Sequence, residues 1–286
     1  MRRHELTDQE WELLAPLIPR AATGRPRAED RQVVNGMVYK IRTGISWRDL
    51  PERYGSWQTV YTRFRRYALD GVFTRALRQI QARADAAGDI DWLVQIDSTI
   101  VRAHQHAAAT GRKGGPTDRT NRNDHALGRS RGGLTTKIHL ACDGRGRPLA
   151  ILLTPGQRHD SICARPLLER IRVPRSGLGR PRCRPDQVVA DKAYSSRGFR
   201  AYLRKRGIAC TILEKDDQQR HRHNRGRRGG RPPAFDRQVY RRRNVVERCF
   251  NQLKGFRGIA TRYDKTATSY EAAVSLASFL LWARSV

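Results

Sequence analysis

LVQIDSTIV, residues 93–101, is the stretch on which the interpretation of the whole chain depends. Its branched and aliphatic residues predict a β-strand. Residues 134–141 and 149–154 have the same character, and DGRG at 143–146 between them is typical of a hairpin turn. These three segments predict the first strands of a sheet.

Helices and strands alternate after this hairpin. The predicted elements are helix 161–171, strand 187–191, helix 196–206, strand 208–213, helix 237–256 and helix 269–283. This order predicts a mixed α/β domain that covers residues 89–286.

Residues 1–88 are predicted to be all helical. Thr7 and Glu10 have the spacing of a capping box, and further helices are predicted at 28–43 and 56–70. The fold class is therefore α/β, or α+β overall, with a helical domain at 1–88 in front of the α/β domain.

The third predicted helix has a polar face suited to reading DNA. At about 100° per residue, its aromatic and branched side chains share one arc and its polar side chains another. The polar residues are Gln58, Thr59, Thr62, Arg63 and Arg66. A short helix, a turn and this helix predict a helix-turn-helix that reaches base edges and phosphates. The alternative is an amphipathic helix with a solvated polar face.

The charge of the chain predicts a polyanionic partner. The 57 Lys and Arg residues exceed the 27 Asp and Glu residues and give a net charge of +30. Nucleic acid is the first candidate and an anionic membrane surface the second. Two basic stretches, at about 104–133 and 216–237, are predicted to be loops, and the arginine run at 220–231 is predicted to be mobile until it binds nucleic acid. A solvated charged loop is the alternative.

The remaining composition favours an intracellular protein. Five scattered cysteines without a CxxC pair predict buried thiols rather than disulfides or a zinc site. No signal peptide and no membrane-spanning segment is predicted. The histidine pairs at 104/106 and 221/223 lie in basic stretches and are predicted to be solvated.

Three carboxylates are candidates for catalysis. Asp97 and Asp191 each end an apolar strand, and strand ends are where ligands gather in α/β folds. Glu247 lies on a later predicted helix. Together they supply the oxygen ligands that two Mg²⁺ ions prefer, and two such ions can act on a phosphodiester. Singly, each acid could instead be a turn former or an ion-pair partner.

The helix that carries Glu247 predicts a polar edge beside an apolar face. On a helical wheel, Tyr240, Arg243, Glu247 and Lys254 fall within about 60° of one another. Arg and Lys next to a metal-binding Glu would neutralise the phosphate oxygens of DNA. The alternative is an ordinary ion-paired helix face.

These residues resemble a known family. The spacing from Tyr240 through Arg243 and Glu247 to Lys254 matches the Y-x2-R-x3-E-x6-K signature of DDE transposases from bacterial insertion sequences. Four further segments of the chain resemble the insertion-sequence-five family. They are GISWRDLP at 44–51, IDST at 96–99, GRSRGGLTTK at 128–137 and VADKAY at 189–194.

The resemblance implies an RNase H-like catalytic core. Asp97, Asp191 and Glu247 would be the metal-binding triad for two Mg²⁺ ions, for which Mn²⁺ would substitute. The partners would be the inverted-repeat ends of an element and a target duplex, bound by a homodimer or higher multimer in the bacterial cytoplasm, at the nucleoid. Lys137, Lys192 and Tyr194 lie in or beside the matching words and are predicted DNA contacts.

Three functions follow, in decreasing order of support. The first is a transposase that cleaves element ends and transfers the 3′-OH strand to target DNA. The second is an RNase H-like nuclease or resolvase that does not join strands. The third is a helix-turn-helix repressor without chemistry. A supporting role for His159 or Asp160 near the third strand stays open.

Overall fold

The chain was analysed as a computed structural model that describes residues 4–19, 28–107, 125–130 and 133–285. Most of the predicted basic loop at 104–133 lies outside these ranges, as do parts of the quoted GRSRGGLTTK word. The folded part combines a mixed sheet with helices on its faces and at its N-terminal side.

The sheet is built around its first strand. The strands are β1 Leu93–Ala103, β2 Gly128–Ser130, β3 Gly133–Cys142, β4 Pro148–Pro155, β5 Gln187–Ala190, β6 Ala209–Ile212 and β7 Thr261–Arg262. β4 and β3 are antiparallel, β3 and β1 are antiparallel, and β5 and β6 continue parallel to β1 on its other side. The first residues of β1 are all buried, because both sides of this central strand are paired and both faces are covered.

This strand order is that of an RNase H-like core, with three antiparallel strands followed by two parallel ones. The predicted α/β fold with an RNase H-like core is thereby confirmed. The predicted strands at 93–101, 134–141, 149–154, 187–191 and 208–213 all correspond to observed strands.

The helices surround this sheet and form the N-terminal part. They are α1 Asp8–Leu14, α2 Asp30–Thr43, α3 Trp57–Leu69, α4 Val72–Ala86, α5 Asp160–Glu169, α6 Arg197–Lys205, α7 Asp216–Asn224, α8 Arg237–Arg241, α9 Asn244–Lys254, α10 Arg257–Ala260 and α11 Ala267–Ala283. Thr7 and Glu10 form the predicted capping box before α1. Among the described residues, no helix has both the length and the apolar character needed to cross a membrane.

The last helix joins the N-terminal helices to the sheet. α11 is buried on nearly all sides because it packs against α3 and α4 as well as against β4. Trp282 near its end is fully buried, and its indole Nε1 donates to the Pro148 carbonyl oxygen at 2.7 Å. α10 approaches α2 so closely that a Cβ on Gly258 would lie 3.0 Å from the Ile41 Cα atom. Residues 4–19 and 28–86 therefore share one continuous core with the sheet.

The predicted helix at 237–256 is wrong as a single element. It consists of α8 and α9, which are separated by a turn at Arg242 and Arg243. Arg242 at this turn extends away from the helix and pairs with the Asp91 carboxylate at 2.5 Å. Tyr240 and Glu247 therefore lie on different helices, and one helical wheel does not relate them.

The basic stretch at 216–237 is also not a simple loop, because its first part forms α7. Asp216 and Asp217 in the first turn interact favourably with the helix dipole. Gln218 anchors the helix, since its Nε2 donates to the Ser195 carbonyl oxygen at 2.6 Å and its Oε1 accepts from the Ser195 hydroxyl at 2.7 Å. These contacts give the arginine-rich segment a defined conformation without DNA.

Candidate active site

Asp97 lies in the middle of β1, directly after the buried segment that starts the strand. Its Oδ1 accepts a hydrogen bond from the Ser98 backbone N–H at 2.8 Å, and its Oδ2 accepts one from Arg243 Nη1 at 3.2 Å. Burial is the main reason that the pKa of Asp97 rises to about 6, and the Asp191 carboxylate adds to the rise. The Ser98 amide and Arg243 oppose this shift.

Asp191 follows β5 directly and lies beside Asp97. The parallel register pairs Ile96 with Ala190, so the next residues along the two strands, Asp97 and Asp191, are neighbours. Asp191 also caps the short turn behind it, because its Oδ1 accepts from the Ala193 N–H at 2.9 Å. The parallel register therefore places the two aspartates side by side at this point of the sheet.

Glu247 approaches the same point from α9. The helix is fixed to the central strand because the Val246 N–H donates to the Gln95 Oε1 at 3.2 Å. The Glu247 side chain is 49% exposed, and its Oε1 accepts from Arg243 Nη2 at 2.6 Å. One guanidinium therefore bridges the carboxylates of Asp97 and Glu247.

Arg243 carries a firmly held positive charge at the centre of this group. Burial disfavours the charged guanidinium, but the carboxylates of Asp97 and Glu247 outweigh it and raise the pKa of Arg243. The bridge balances charge among acids that would otherwise repel one another at close range. Arg243 was predicted to contact DNA, and in this arrangement its donors are committed to the two carboxylates.

The three acids fit a hard divalent cation by their chemistry, since every ligand atom would be a carboxylate oxygen. In the part of the chain that the structure describes, no three His, Cys, Asp or Glu side chains converge closely enough to hold a metal ion. Arg243 lies between two of the three acids and stands in for a cation there. Ligation by all three acids requires this bridge to open at one end.

Two predicted DNA contacts are buried instead. The Lys137 side chain is only 11% exposed, and its Nζ donates to Asp160 at 3.0 Å and to the Arg158 carbonyl oxygen at 2.8 Å. The Tyr194 side chain is fully buried, and burial is the main reason that its pKa lies well above the usual value. Direct contact of either side chain with DNA is therefore incompatible with this arrangement, because both are packed inside the protein.

The other predicted contacts near the acids are more accessible. Lys192 is exposed, and its Nζ lies 4.0 Å from the Asp216 carboxylate. Tyr240 is partly exposed at the end of α8. Lys254, in the last turn of α9, is partly buried, and its Nζ donates to the Thr99 hydroxyl at 2.6 Å. Lys254 thus lies beside β1, two residues beyond Asp97.

The polar face of α3 is largely exposed, and Arg66 on it lies 3.7 Å from the Asp70 carboxylate. Gln58, Thr62 and Arg66 are exposed, and Thr59 is partly exposed. The element before α3 differs from the predicted short helix, because it consists of two single 3₁₀ turns, at Trp47–Asp49 and Glu52–Tyr54.

Arg63 departs from this pattern. Its Nη1 donates to the Asp30 carboxylate at 2.9 Å and its Nη2 to the Ala28 carbonyl oxygen at 3.0 Å. Arg63 therefore ties α3 to the start of α2. Its spacing on the wheel could not reveal this partner, because Asp30 lies 33 positions away.

We expect Arg66 and Arg63 to respond differently to substitution. Arg66→Gln should weaken DNA binding and reduce the slope of log affinity against log salt by about one unit, as the loss of one phosphate contact does. Arg63→Gln should lower the melting temperature and leave that slope unchanged, because Arg63 already pairs with Asp30. Fluorescence anisotropy of the full chain with a labelled duplex at four salt concentrations measures both slopes. Equal slopes for Arg66→Gln and the unsubstituted chain would contradict a phosphate contact.

Sequence reasoning missed two members of this site and left a third undecided. Ser98 and His139 were not singled out, and Asp160 was only one of two alternatives. Strand alternation in β3 places Lys137 and His139 on one face, which was a usable signal. The contact between Ser98 and Asp160 is not visible from spacing, because the two residues are 62 positions apart.

The predicted solvated histidines lie away from these acids. His221 and His223 are exposed on α7, and His106 is exposed after β1. His104 is partly buried, and its ring lies 5.0 Å from the Tyr263 ring.

Comparison with known sequences identifies both parts of the chain. The profile described as "Putative transposase of IS4/5 family" matches residues 6–77, and the profile described as "Transposase DDE domain" matches residues 90–282. The second profile alone spans well over half of the chain and includes the three acids.

Individual relatives agree with these profiles. A "Putative transposase for insertion sequence element IS6501" from Brucella ovis is 32% identical over 151 residues, which is 53% of this chain and 100% of that protein. The "Uncharacterized protein y4sN" from Sinorhizobium fredii is 41% identical over 113 residues, which is 38% of this chain and 86% of that protein.

A solved structure, the "Mos1 transposase paired-end complex with left transposon end", has 13% identity, covers 83% of this chain and 82% of its own, and gives a TM-score of 0.25. A score this low adds nothing to the fold assignment, which stands on the strand order of the sheet. From the two profiles and the insertion-sequence relatives, the chain belongs to the DDE transposases of insertion sequences.

Proposed function

We propose that this chain is a DNA transposase that binds the terminal inverted repeats of its element, cleaves DNA there and transfers the 3′-OH strand to a target duplex. The observation that carries the proposal is the meeting of Asp97 and Asp191 on adjacent parallel strands with Glu247 on α9. All three acids lie within residues 90–282, which match the DDE profile, and Glu247 also belongs to the sequence signature.

Asp97, Asp191 and Glu247 would be the catalytic and metal-binding residues. Two Mg²⁺ ions, for which Mn²⁺ can substitute, would activate the attacking oxygen and stabilise the leaving oxygen of the phosphodiester. Packing and hydrogen bonds hold Asp97 and Asp191 on adjacent strands before any DNA arrives, and ligation by Glu247 as well would require the Arg243 bridge to open. This preorganisation is how an active site lowers the cost of reaching the transition state.

Arg243 and Lys254 would hold the scissile phosphate. Both flank the acids, and cationic donors of this kind neutralise non-bridging phosphate oxygens. On leaving its two carboxylates, the Arg243 guanidinium would be free to pair with a phosphate bound beside these acids. Lys192 and Tyr240 are accessible on the same side and would contact the flanking backbone.

The helical residues 1–88 would select the DNA sequence, and residues 89–286 would carry out the chemistry. The exposed polar residues of α3 are the candidates for contacts with bases. Except for Arg222, which is partly buried and pairs with Glu214, the arginines at 220–231 are exposed and would bind the backbone without sequence preference. A homodimer or higher multimer would pair two element ends in the bacterial cytoplasm, at the nucleoid.

A nuclease or resolvase without strand transfer is the second candidate, since the same acids could support hydrolysis alone. A repressor without chemistry would have no use for Asp97, whose burial beside Asp191 raises its pKa. A DNA assay separates the three.

The proposed function is tested with a labelled duplex that carries the inverted repeat flanking this reading frame. We expect nicks at the repeat boundary in Mg²⁺ and none in EDTA, and joined products when a target plasmid is added. Nicks without joining would support the nuclease. Binding without nicks in Mg²⁺ or Mn²⁺ would support the repressor.

A further inference from the structure

Asp160 is a fourth carboxylate beside the three candidate ligands. It is the first residue of α5, and its side chain is 26% exposed. Its Oδ1 accepts two hydrogen bonds, from the Ser98 hydroxyl at 2.7 Å and from Lys137 Nζ at 3.0 Å. Neither the proposed chemistry nor the sequence signature uses this residue.

Lys137 holds Asp160 from the side of β3. Its ammonium group is almost fully buried, and a buried charge is costly unless a partner compensates it. Asp160 supplies that partner, and the Arg158 carbonyl oxygen accepts a second hydrogen bond from Lys137. The Asp160 carboxylate is thereby held by Lys137 of β3 as well as by its place at the start of α5.

Ser98 connects Asp160 to the catalytic group. Its backbone N–H donates to Asp97 Oδ1 at 2.8 Å, while its hydroxyl donates to Asp160 Oδ1 at 2.7 Å. One residue therefore joins the two carboxylates. Loss of Asp160 would free the Ser98 hydroxyl, on the residue that follows Asp97 in β1 and supplies the N–H that orients it.

Two buried rings pack around the connection between Asp160 and Asp97. The His139 ring is fully buried, with its Nδ1 3.9 Å from Asp160 Oδ1 and its Nε2 2.9 Å from the Thr154 hydroxyl. The buried Tyr194 hydroxyl lies close enough to Asp97 and Asp160 for both carboxylates to act on it electrostatically. Both rings are thus buried beside this connection.

We propose that Asp160 is a positioning residue for the DNA-cleavage reaction: held by Lys137, it fixes the orientation of Asp97 through Ser98. Asp160 touches neither DNA nor the reacting atoms in this role. Partners that orient a metal-binding carboxylate commonly change metal affinity or activity 10- to 100-fold when they are replaced. This role presupposes the proposed DNA cleavage.

The test begins with Asp160→Asn and Ser98→Ala in the full chain, with Glu169→Gln as the matched control. Glu169 lies at the other end of α5 in an exposed pair with Arg165. We expect Asp160→Asn to lower the cleavage rate at saturating DNA by about 10- to 100-fold, with the KM for DNA nearly unchanged. Ser98→Ala should also lower the cleavage rate, and Glu169→Gln should leave the cleavage rate unchanged.

Binding of Mn²⁺ to the chain without DNA, followed by electron paramagnetic resonance, provides a readout that does not depend on activity. We expect Asp160→Asn and Ser98→Ala both to weaken Mn²⁺ binding, because both loosen Asp97. If the unsubstituted chain binds Mn²⁺ but cleaves no DNA, the proposed function fails while the positioning of Asp97 is still measured. A wild-type affinity in Ser98→Ala would overturn the route through Ser98.

A double variant separates positioning from simple stabilisation. Asp160→Asn leaves the buried Lys137 without a full countercharge, so it should lower the melting temperature. Adding Lys137→Met removes that charge and should restore stability, while cleavage should stay low. If cleavage returns together with stability, Asp160 is only a structural ion-pair partner. A loss in Asp160→Asn as complete as that in Asp97→Asn would instead make Asp160 a direct ligand and overturn the positioning role.

Discussion

Glu247→Gln should abolish DNA nicking and strand joining while the chain stays folded and still binds element ends. Gln keeps the volume of the side chain and loses the negative charge that a metal ligand needs. Because the Glu247 side chain is 49% exposed, the change leaves no buried gap. Asp97→Asn and Asp191→Asn should fail to the same extent, since residues that act as one unit do not give additive losses.

A gel assay with a labelled duplex measures this loss, and we expect a decrease of at least about 1,000-fold. Glu271→Gln is the matched control because it removes a carboxylate of a surface ion pair with Arg170. The control should nick DNA at the normal rate. Normal nicking by Glu247→Gln with an unchanged metal requirement would rule out Glu247 as the third ligand.

Trp282→Ala should lower the free energy of unfolding by about 3–5 kcal/mol, the usual cost of removing a buried Trp. The indole is fully buried, it donates to the Pro148 carbonyl oxygen, and the Arg147 guanidinium lies 4.1 Å from the centroid of its ring. Since α11 packs against both α4 and β4, the loss should destabilise the helices and the sheet together.

Urea unfolding, followed by circular dichroism and by tryptophan fluorescence, checks this prediction. We expect one transition by both probes, shifted to lower urea in Trp282→Ala. Ser285→Ala, two residues from the end of α11, is the control and should change little, because Ser285 bonds only to the backbone of the last helical turn. Two separate transitions, of which only one shifts, would contradict a shared core.

The strands of the sheet and the positions of Asp97 and Asp191 on them could be predicted because their signals are local. A run such as LVQIDSTIV shows its strand character within nine residues, and Asp97 and Asp191 each follow a buried apolar segment. The pairing of the two aspartates follows from the parallel register of their strands. Local patterns of this kind are the most reliable basis for predicting secondary structure from a sequence.

The predictions that failed depended on contacts between residues far apart in the chain. The break between α8 and α9 lies where Arg242 pairs with Asp91, 151 positions away. Lys137 was expected to contact DNA because it lies in a segment that resembles the transposase family, but Asp160 compensates its charge inside the protein. Arg63 was expected on the DNA-reading face, and Asp30 holds it against α2. In each case a distant acid determined where a basic side chain lies.

The packing of the N-terminal helices also depends on residues that are distant in the chain. Residues 1–88 were predicted to form a helical domain, and α11, which comes from the predicted catalytic domain, covers α3 and α4. A fragment that ends at residue 88 would expose the apolar surface that α11 covers. Sequence-specific binding should therefore be measured on the full chain.

Strand joining by pre-cleaved ends is the most direct test of the central claim, because it requires metal-dependent chemistry on DNA and not binding alone. A duplex with a free 3′-OH at the element end is incubated with a supercoiled plasmid, Mg²⁺ and either the unsubstituted chain or Asp97→Asn. The account predicts plasmid covalently joined to the labelled end with the unsubstituted chain and none with Asp97→Asn. Equal joining by both proteins, or nicking without any joined product, would contradict it.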